Sequence, residues 1–384
     1  MAFSVGTLAN YTDEQRFPLI RKAVLSAKTA SLLTVQAGIK SSAAINILES
    51  DALFQADGCG FNASGTTALT QRVIPAVAIK VQEALCPKAL EAKYIQTQLA
   101  PGSMYDSIPF EQIYAEEKAD QIAKAVEVAL WQGNIASGSA PNLNKFDGLL
   151  KVIDDSYSAA NVNAQKISGT VATTSGSATV TGTSTLFSSQ VVAGDKLVIG
   201  ANTYTVSVVT SNTAITLTAN AAASVSGITA KVVKAASDFF TTPVTSITVS
   251  NVEAVIDAVY KSIPVDVLDK EDLFIACGTD TFRLYTIALK TANLYHYGVD
   301  AVNFELFIPG TNIKLVALNG LNGTSRIIAG RKSNMFMGVD MLNEEERFEI
   351  FYAKEADEVR FMAAFKLGTQ VAFPSQVANF ELTA

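Results

Sequence analysis

The sequence predicts an α+β fold that carries a small, separate all-β segment. Three observations predict it. A long amphipathic helix begins near Pro109 and ends before Gly133, strand and helix patterns alternate after residue 250, and residues 166–234 switch abruptly to Thr, Ser, Val, Ala and Gly. With 384 residues, of which 49% are hydrophobic, the chain is long enough to bury one large core or two ordinary ones.

The long helix is predicted from FEQIYAEEKADQIAKAVEVALWQ, because proline is favoured in a first helical turn and glycine directly after a last one. Spacings of four and three place five apolar residues on one face. They are Ala115, Ala119, Ile122, Val126 and Ala129. Trp131 near the end of the helix is interpreted as an anchor in the core.

The all-β segment is predicted from short β-rich runs such as SATVTGT, KLVIG, TYTVSVV and AITLT, which Gly, Asn and Ser turn signals separate. We expect about six strands and no helix, arranged as a small sandwich or barrel. After it, VEAVIDAVYKSI and DTFRLYTIALKTAN predict helices, and DLFIACG predicts a buried strand. FELFIPGTNIKLVALNGL predicts two strands, and the rest of the chain is strand-rich.

The segments before the long helix indicate extended structure. QRVIPAVAIKVQEALCPKALEAKYIQTQL has a proline at each candidate bend and predicts a two-limbed excursion, and the first 65 residues are typical of an extended arm. Only 17% of the residues are charged, against about 25% in average domains, so we expect apolar surface to be covered by other protein. We expect no membrane span and no secretion signal, and the net charge of -7 argues against a sequence-specific nucleic-acid reader.

Candidate chemical motifs are weak, and the sequence predicts neither an enzyme nor a cofactor or metal site. The single histidine, His296, leaves no set with Ser or Cys that differs from chance, and GCGFNASG lacks the Lys-Ser/Thr ending of a phosphate loop. The carboxylates of NEEERFE, at 343–349, are interpreted as a solvated turn. Cys59, Cys86 and Cys277 are predicted to be buried, reduced thiols.

The order of these features resembles the major capsid proteins of tailed bacteriophages, which share the Hong Kong 97 phage-type capsid fold. The resembling phrases are LWQGN at the helix end, FDGLL at 146–150, FIPGTNIKLVALNGLNG at 307–323, NMFMGVD at 334–340 and LGTQVAFP at 367–374. The β segment, with GTVATTSGSATVTGTSTLF and AGDKLVIGANTYTVSVV, resembles insertion domains of phage structural proteins.

The resemblance implies a fold with an N-terminal arm, an E-loop, a spine helix, and peripheral and axial domains, plus the inserted all-β domain. The implied boundaries are the arm at 1–65, the E-loop at 66–105, the spine helix and peripheral domain at 106–165, the inserted β domain at 166–235, a second peripheral part at 236–275, the axial domain at 276–355 and return strands of the peripheral domain at 356–384.

The implied function is self-assembly, through hexamers and pentamers, into the icosahedral shell of the virion, formed in the bacterial cytoplasm. Implied partners are portal, scaffolding and accessory head proteins, with DNA as non-specific cargo. Scaffolding is expected to be separate or absent, and no motif selects Lys80, Lys88 or Lys93 for a covalent crosslink. Two alternatives stay open: a tail tube or other phage structural protein, and a surface adhesin with a β-sandwich module.

Assembly-interface candidates come from the predicted E-loop. Its alternating apolar residues could add strands or anchors to the sheets of neighbouring subunits. They are Val73, Ile74, Val77, Ile79 and Val81.

Overall fold

A computed structural model describes residues 28–57, 59, 64–85, 110–137, 142–157, 159–233, 244–292, 304–340, 347–353, 355–356 and 358–383. The described residues form two compact units. The first unit takes its residues from Met1–Gly148 and Phe336–Ala372, and the second from Leu149–Met335 and Phe373–Ala384.

The α-helices are α1 (Lys28–Leu32), α2 (Phe110–Gln132), α3 (Leu149–Ser156), α4 (Phe187–Gln190), α5 (Val252–Ser262) and α6 (Thr279–Thr291). The strands are β1 (Thr34–Gln36), β2 (Ser42–Ser50), β3 (Thr67–Pro75), β4 (Val77–Leu85), β5 (Ala160–Asn161), β6 (Gln165–Lys166), β7 (Thr170–Thr173), β8 (Thr179–Thr183), β9 (Lys196–Ile199), β10 (Asn202–Ser211), β11 (Ala214–Leu217), β12 (Val225–Ile228), β13 (Ala230–Val233), β14 (Leu273–Gly278), β15 (Glu305–Phe307), β16 (Lys314–Leu318), β17 (Ile327–Arg331), β18 (Met335–Val339), β19 (Arg347–Ala353), β20 (Glu358–Val371) and β21 (Ala378–Phe380).

The first unit is built on a five-stranded sheet around the long strand β20. Its path is β1-β18-β20-β19, with β4 also paired to β20. The predicted long helix is confirmed as α2, whose Ala119, Ile122, Val126 and Ala129 are buried as the stripe requires. Trp131 is fully buried, and its Nε1 donates a hydrogen bond to Thr29 Oγ1 at 3.0 Å, so it anchors the helix end to α1.

Helix α2 ends where two glycine backbones meet. A Cβ on Gly133 would lie 2.5 Å from the Phe146 carbonyl oxygen, and a Cβ on Gly148 would lie 2.6 Å from Gly133 N. The Gly148 amide donates to the Gly133 carbonyl oxygen at 2.9 Å. Because only residues without a side chain allow this approach, the two glycines fix the exit of the chain from α2.

The predicted arm is more structured than expected over its described part. Residues 28–50 form α1, β1 and β2, with β1 paired in parallel to β18, whereas residues 1–27 lie outside the described residues. Over residues 28–50 the predicted arm therefore consists of a helix and two strands. Strand β1 joins the five-stranded sheet and α1 packs against α2, whereas β2 pairs with β3 outside that sheet.

The second unit contains a six-stranded sheet with the order β15-β16-β14-β17-β21-β5. Strand β14 is buried along its whole length, as predicted for DLFIACG, and pairs in parallel with β16 and antiparallel with β17. Helices α5 and α6 pack on this sheet and on each other. Their buried faces join one hydrophobic cluster with Ile275, Leu315 and Phe380.

A charged corner closes the edge between β14 and β17. The Asp272 carboxylate accepts hydrogen bonds from Arg331 Nε at 2.9 Å and from the Ser333 amide at 3.0 Å. Burial tends to raise the pKa of Asp272, but these hydrogen bonds outweigh burial and lower the pKa to about 2.

We expect this corner to contribute to acid stability. Because the pKa of Asp272 is lower in the folded chain than its ordinary value of 3.8, its stabilisation is present above pH 4 and is lost as the pH falls toward 2. Urea unfolding between pH 2 and pH 6 should therefore show a smaller loss of stability on acidification for Asp272→Asn than for the wild type. Parallel curves for the two proteins would contradict the assignment.

The predicted β segment forms an eight-stranded sheet with the order β12-β7-β8-β11-β10-β9-β13-β6. It has two strands more than expected, and it contains the four-residue helix α4, so the expectation of no helix was wrong. Strand β10 pairs through residues 202–205 with β9 and through residues 206–211 with β11. Both halves contribute to one hydrophobic cluster, including Leu197, Val180 and Ile215, so they enclose a core of their own.

An ion network lies at the base of the β segment. Arg326 forms a bidentate pair with Asp154, with Nη2–Oδ1 at 2.6 Å and Nη1–Oδ2 at 3.2 Å. Arg326 Nη1 also lies 3.1 Å from Glu381 Oε2, and Lys231 of β13 lies 2.8 Å from Glu381 Oε1. Burial alone would lower the pKa of Arg326, but Glu381 and Asp154 raise it, so the guanidinium stays charged. The network ties β13 to α3 and to the C-terminal residues.

The two units divide the C-terminal half differently from the predicted boundaries. Residues 336–353, expected in the axial segment 276–355, join the first unit through β18 and β19. Residues 373–383, expected among the return strands of 356–384, join the second unit, because β21 pairs with β17 and β5. Residues 244–275, predicted as peripheral, pack in the second unit.

Candidate assembly interface

Strands β2 and β3 form a two-stranded antiparallel sheet, separate from the other sheets, in which Ser42 pairs with Pro75 and Ser50 with Thr67. The Asp51 side chain accepts a hydrogen bond from the Thr66 amide, and the Asp51 amide donates to the Thr66 carbonyl oxygen at 3.2 Å. These contacts close the ladder at its far end. We call this element, residues 42–75, the hairpin.

The hairpin has one face that its own chain leaves exposed. Because side chains alternate along a strand, the cross-strand pairs Ala44–Val73, Asn46–Gln71 and Leu48–Leu69 lie on the same face. Gln71 Nε2 donates to Asn46 Oδ1 at 2.8 Å in the middle of this face. Leu48 is 64% exposed, Leu69 70% and Val73 51%. We call this set of six residues the outward face.

Further apolar residues follow β2, beyond the paired residues of the hairpin. Leu53 is 62% exposed and Phe54 is 100% exposed, and we call these two residues the tip. An isolated two-stranded hairpin is at best marginally stable in water, and exposed leucines in cross-strand pairs leave apolar area uncovered. A group of exposed apolar side chains of this kind indicates a candidate site of protein contact. The outward face and the tip are therefore the candidate interface of this chain.

The opposite face of the hairpin is held by the first unit. Ile47 and Ile74 are buried there, and a Cβ on Gly338 of β18 would lie 2.7 Å from Ile74 Cγ2. Gln370 Nε2 donates to the Val73 carbonyl oxygen at 2.7 Å, and Arg72 Nη1 donates to the Val371 carbonyl oxygen at 3.2 Å. The base of the hairpin is thus fixed to the end of β20.

The connection between β3 and β4, at Pro75 and Ala76, lies against a glycine of β20. We call this connection the joint. A Cβ on Gly368 would lie 1.5 Å from the Pro75 carbonyl oxygen, which is a backbone atom. We expect Gly368→Ala to destabilise the folded chain by roughly 1–3 kcal/mol, because the strand and the joint must separate.

Urea unfolding measures this loss. The matched control, Ala364→Ser, adds one heavy atom to the same strand at a half-buried position and should change stability by less than about 0.5 kcal/mol. Equal stability of the Gly368 variant and the wild type would contradict the close approach.

The five interface candidates from the sequence divide into two groups. Val73 lies on the outward face, but Ile74 is fully buried in its own chain and offers no surface to a neighbour. The other three candidates belong to β4, where they are half-buried and pair with β20. They are Val77, Ile79 and Val81, which pair with Leu367, Phe365 and Ala363.

The β4 candidates face the interior of the first unit. Their partners on β20 are buried, and an ion pair joins Glu83, on the same face of β4, to Lys118 of α2. Val77, Ile79 and Val81 therefore lie on the side of the sheet that faces helix α2. Their contact with a neighbouring subunit stays a prediction. The remainder of the predicted E-loop, residues 86–105, lies outside the described residues.

The sequence did not predict the remaining apolar residues of the candidate interface, Leu48, Leu53 and Phe54. Leu48 lies in SAAINILES, where apolar residues alternate with small or polar ones, and this alternation is a signal for a strand. The composition of the first 65 residues favours an arm instead, and the pairing of this strand with residues 67–75 is a long-range contact that no local pattern indicates. Leu53 and Phe54 follow in a stretch without periodicity, and no local pattern indicates their exposure.

The structure describes few of the weak chemical motifs. His296, Cys86 and most of GCGFNASG and NEEERFE lie outside the described residues. Cys277 is buried as predicted, whereas Cys59 is exposed, so the prediction of three buried thiols was wrong. Within the described ranges, no group of three or more His, Cys, Asp or Glu side chains is placed to hold a metal ion, and no helix is both long and apolar enough to cross a membrane.

Comparison with known proteins gives a structural likeness only. No protein-family model matches the sequence, and no curated protein matches it. A chain of the satellite phage P4 procapsid including size determination (Sid) protein is similar in structure, with a TM-score of 0.52 at 10% identity over 99% of this chain and 91% of that one. Chains from the capsid of an empty GTA particle and the capsid of Myoviridae phage XM1 align with TM-scores of 0.49 and 0.46, each at 12% identity, over 93% and 92% of this chain and 90% and 91% of theirs.

The likeness to the P4 procapsid chain shows the fold. The chain has a mixed helix and sheet fold that resembles phage capsid folds, which confirms the α+β part of the prediction. The division into arm, E-loop, spine helix, peripheral, axial and inserted domains stays a prediction. At 10% identity the likeness does not extend to individual residues.

Proposed function

We propose that this chain is the major capsid protein of a tailed bacteriophage and that it self-assembles into the icosahedral shell around the genome. The fold that it shares with the P4 procapsid chain supports this function. The observation that carries the proposal is the outward face of the hairpin, which presents Leu48, Leu69 and Val73 to water in the isolated subunit. A chain whose task is self-association requires apolar surface of this kind.

The hairpin is suited to a contact between neighbouring subunits. Its ladder of nine residue pairs carries the apolar tip away from the base that β20 holds. An extended element of this type adds contact area without requiring two rigid bodies to match over a broad surface. Many such contacts, each of modest strength, allow misplaced subunits to leave before a shell closes.

We propose the following assignment of the described elements to the parts of the capsid fold. Helix α2 corresponds to the spine helix, and the hairpin at 42–75, rather than 66–105 alone, corresponds to the E-loop. The five-stranded sheet corresponds to the peripheral domain and the six-stranded sheet to the axial domain. Residues 165–233, which have a hydrophobic cluster of their own, correspond to an inserted all-β domain.

Further features of the proposal follow the same function. The chain acts without catalysis and assembles in the cytoplasm of the bacterial host through hexamers and pentamers. Portal, scaffolding and accessory head proteins are its proposed partners. DNA is non-specific cargo, since the net charge of -7 limits adhesion of the shell subunit to a polyanion.

Electron microscopy of the purified full chain, with sedimentation to size the assemblies, tests the function. Closed shells, or rings of five or six subunits, are the expected result. Tubes would favour the tail-tube alternative. A chain that stays monomeric at every concentration, with and without a co-expressed scaffolding protein, would overturn the proposal.

A further inference from the structure

The hairpin is connected to the first unit at two places that are held in different ways. Its second strand ends at the joint, where the backbone of Pro75 lies against Gly368 of β20. Residues 37–41 precede its first strand, and there the contacts include charged side chains. The Ala76 amide donates to the Ser41 carbonyl oxygen at 2.8 Å, so the two connections meet at the base of the hairpin. We call residues 37–41 the entry.

Asp340, directly after β18, binds the entry. The Gly38 amide donates to the Asp340 carbonyl oxygen at 2.6 Å. Lys366 Nζ of β20 donates to Asp340 Oδ2 at 2.6 Å and to the Lys40 carbonyl oxygen at 2.9 Å, so one ammonium group connects Asp340, β20 and the entry. The hydrogen bond from Lys366 and the charges of Lys366 and Lys40 lower the pKa of Asp340, so its carboxylate is ionised at neutral pH.

The second oxygen of this carboxylate lacks a hydrogen bond. Asp340 Oδ1 is buried, yet it accepts none from the residues that the structure describes. Lys40 Nζ lies 3.7 Å from Oδ1, which is an ion pair beyond hydrogen-bond distance, and the Lys40 side chain is 68% exposed. Because buried acceptors are normally satisfied and a lysine side chain is flexible, a change of the Lys40 rotamer is sufficient to complete the bond.

Lys40 lies next to the surface that the proposed contact covers. Ser42 follows two residues later and pairs with Pro75, and both are exposed. Because side chains alternate along a strand, this pair lies on the same face as Ala44 and Val73 and continues the outward face toward Lys40. An exposed ion pair contributes little, because water screens it, but the same pair becomes several-fold stronger when water is excluded.

We propose that Lys40 is a latch that is open in the isolated subunit and closes on Asp340 Oδ1 when a neighbouring copy covers the outward face. This inference rests on the proposed self-assembly. The closed bond connects the entry to Asp340 through a second ammonium group, in addition to that of Lys366. Assembly therefore fixes the base of the hairpin more firmly than it is fixed in the isolated subunit.

Hydrogen exchange of the amides of residues 38–41 tests the latch, measured on the full chain below and above the concentration at which shells form. Lys40→Met should speed exchange by less than about twofold in the isolated subunit, because its ion pair is long and exposed. In shells, where the latch is closed, it should speed exchange by at least about tenfold. When Asp340→Asn is already present, Lys40→Met should have less than about a twofold effect in shells, because the charge that it pairs with is gone.

Lys270→Met is the matched control, since it breaks an exposed ion pair with Asp269 at 3.0 Å, and it should leave exchange at 38–41 unchanged in subunits and in shells. Lys40→Arg keeps the charge and should exchange within about twofold of the wild type, which tests the latch even if the Asp340 variant forms no shells. The latch is overturned, and the proposed function stays in place, if Lys40→Met has no effect in shells, has the same effect in subunits, or keeps its full effect beside Asp340→Asn. An equal effect of Lys40→Arg in shells also overturns the latch. A wild-type chain that never assembles overturns both.

Discussion

Leu48→Asp combined with Leu69→Asp should abolish closed shells at concentrations where the wild type assembles fully. The two side chains form one cross-strand pair on the outward face and are 64% and 70% exposed in the single chain. Carboxylates at these positions would have to be buried without a partner at every contact of the shell, and each such burial costs several kcal/mol. Electron microscopy and sedimentation measure the loss.

The isolated subunit should remain folded, because both leucines are largely exposed in the single chain. Its circular dichroism spectrum and its urea midpoint should match those of the wild type. Ala68→Asp is the matched control, since Ala68 is exposed, neighbours Leu69 and lies on the opposite face of the hairpin. Shells formed equally well by the double variant and by the control would show that the outward face is not a subunit contact.

Replacing Arg326 should have the largest effect on the stability of the subunit itself. Arg326→Met leaves Asp154 without its bidentate partner and removes one of the two cations beside Glu381. Breaking a buried ion pair by deleting one partner typically costs about 3–5 kcal/mol, because the remaining charge is buried without compensation. Arg326→Lys should recover a part of this loss, since an ammonium group cannot form the bidentate pair.

Two further variants test whether the loss of stability comes from the unpaired, buried carboxylate. The double variant Arg326→Met with Asp154→Leu should be more stable than Arg326→Met alone, because the uncompensated carboxylate is gone. Lys314→Met, which breaks the exposed pair of Lys314 with Glu305 at 3.4 Å, should cost less than about 1 kcal/mol. If the Arg326 and Lys314 variants lose the same small amount in urea unfolding, the network at the base of the β segment is not important for stability.

Local patterns predicted those elements whose sequence period matches their packing. Helix α2, the helices α5 and α6 and the buried strand β14 follow directly from apolar spacing. The composition predicted the short strands of the β segment, because a small sandwich requires short strands and many turns. Its strand number was underestimated, since two-residue β6 and four-residue β12 have no recognisable pattern of their own.

Long-range pairing explains most of what the sequence could not show. Strand β2 pairs with β3 across a connection that starts at Asp51, and β21 pairs with β17 and β5 although more than 200 residues separate β5 from β21 along the chain. Such pairings depend on tertiary packing, which a single sequence does not encode in any local window. For the same reason, Val73 and Ile74 are adjacent in sequence but lie on opposite faces, and only the register reveals which one is exposed.

The covalent continuity of the hairpin with β4 has a mechanical consequence. Tension applied at the tip by an attached neighbour passes through Pro75 and Ala76 into β4, which is bound to β20 by nine consecutive residue pairs. Ladder hydrogen bonds run perpendicular to the strands, so a pull along β4 loads them in shear and they must yield together rather than one after another. The hairpin is therefore held through the whole length of β4. A load at its tip is distributed over β20, the central strand of the sheet.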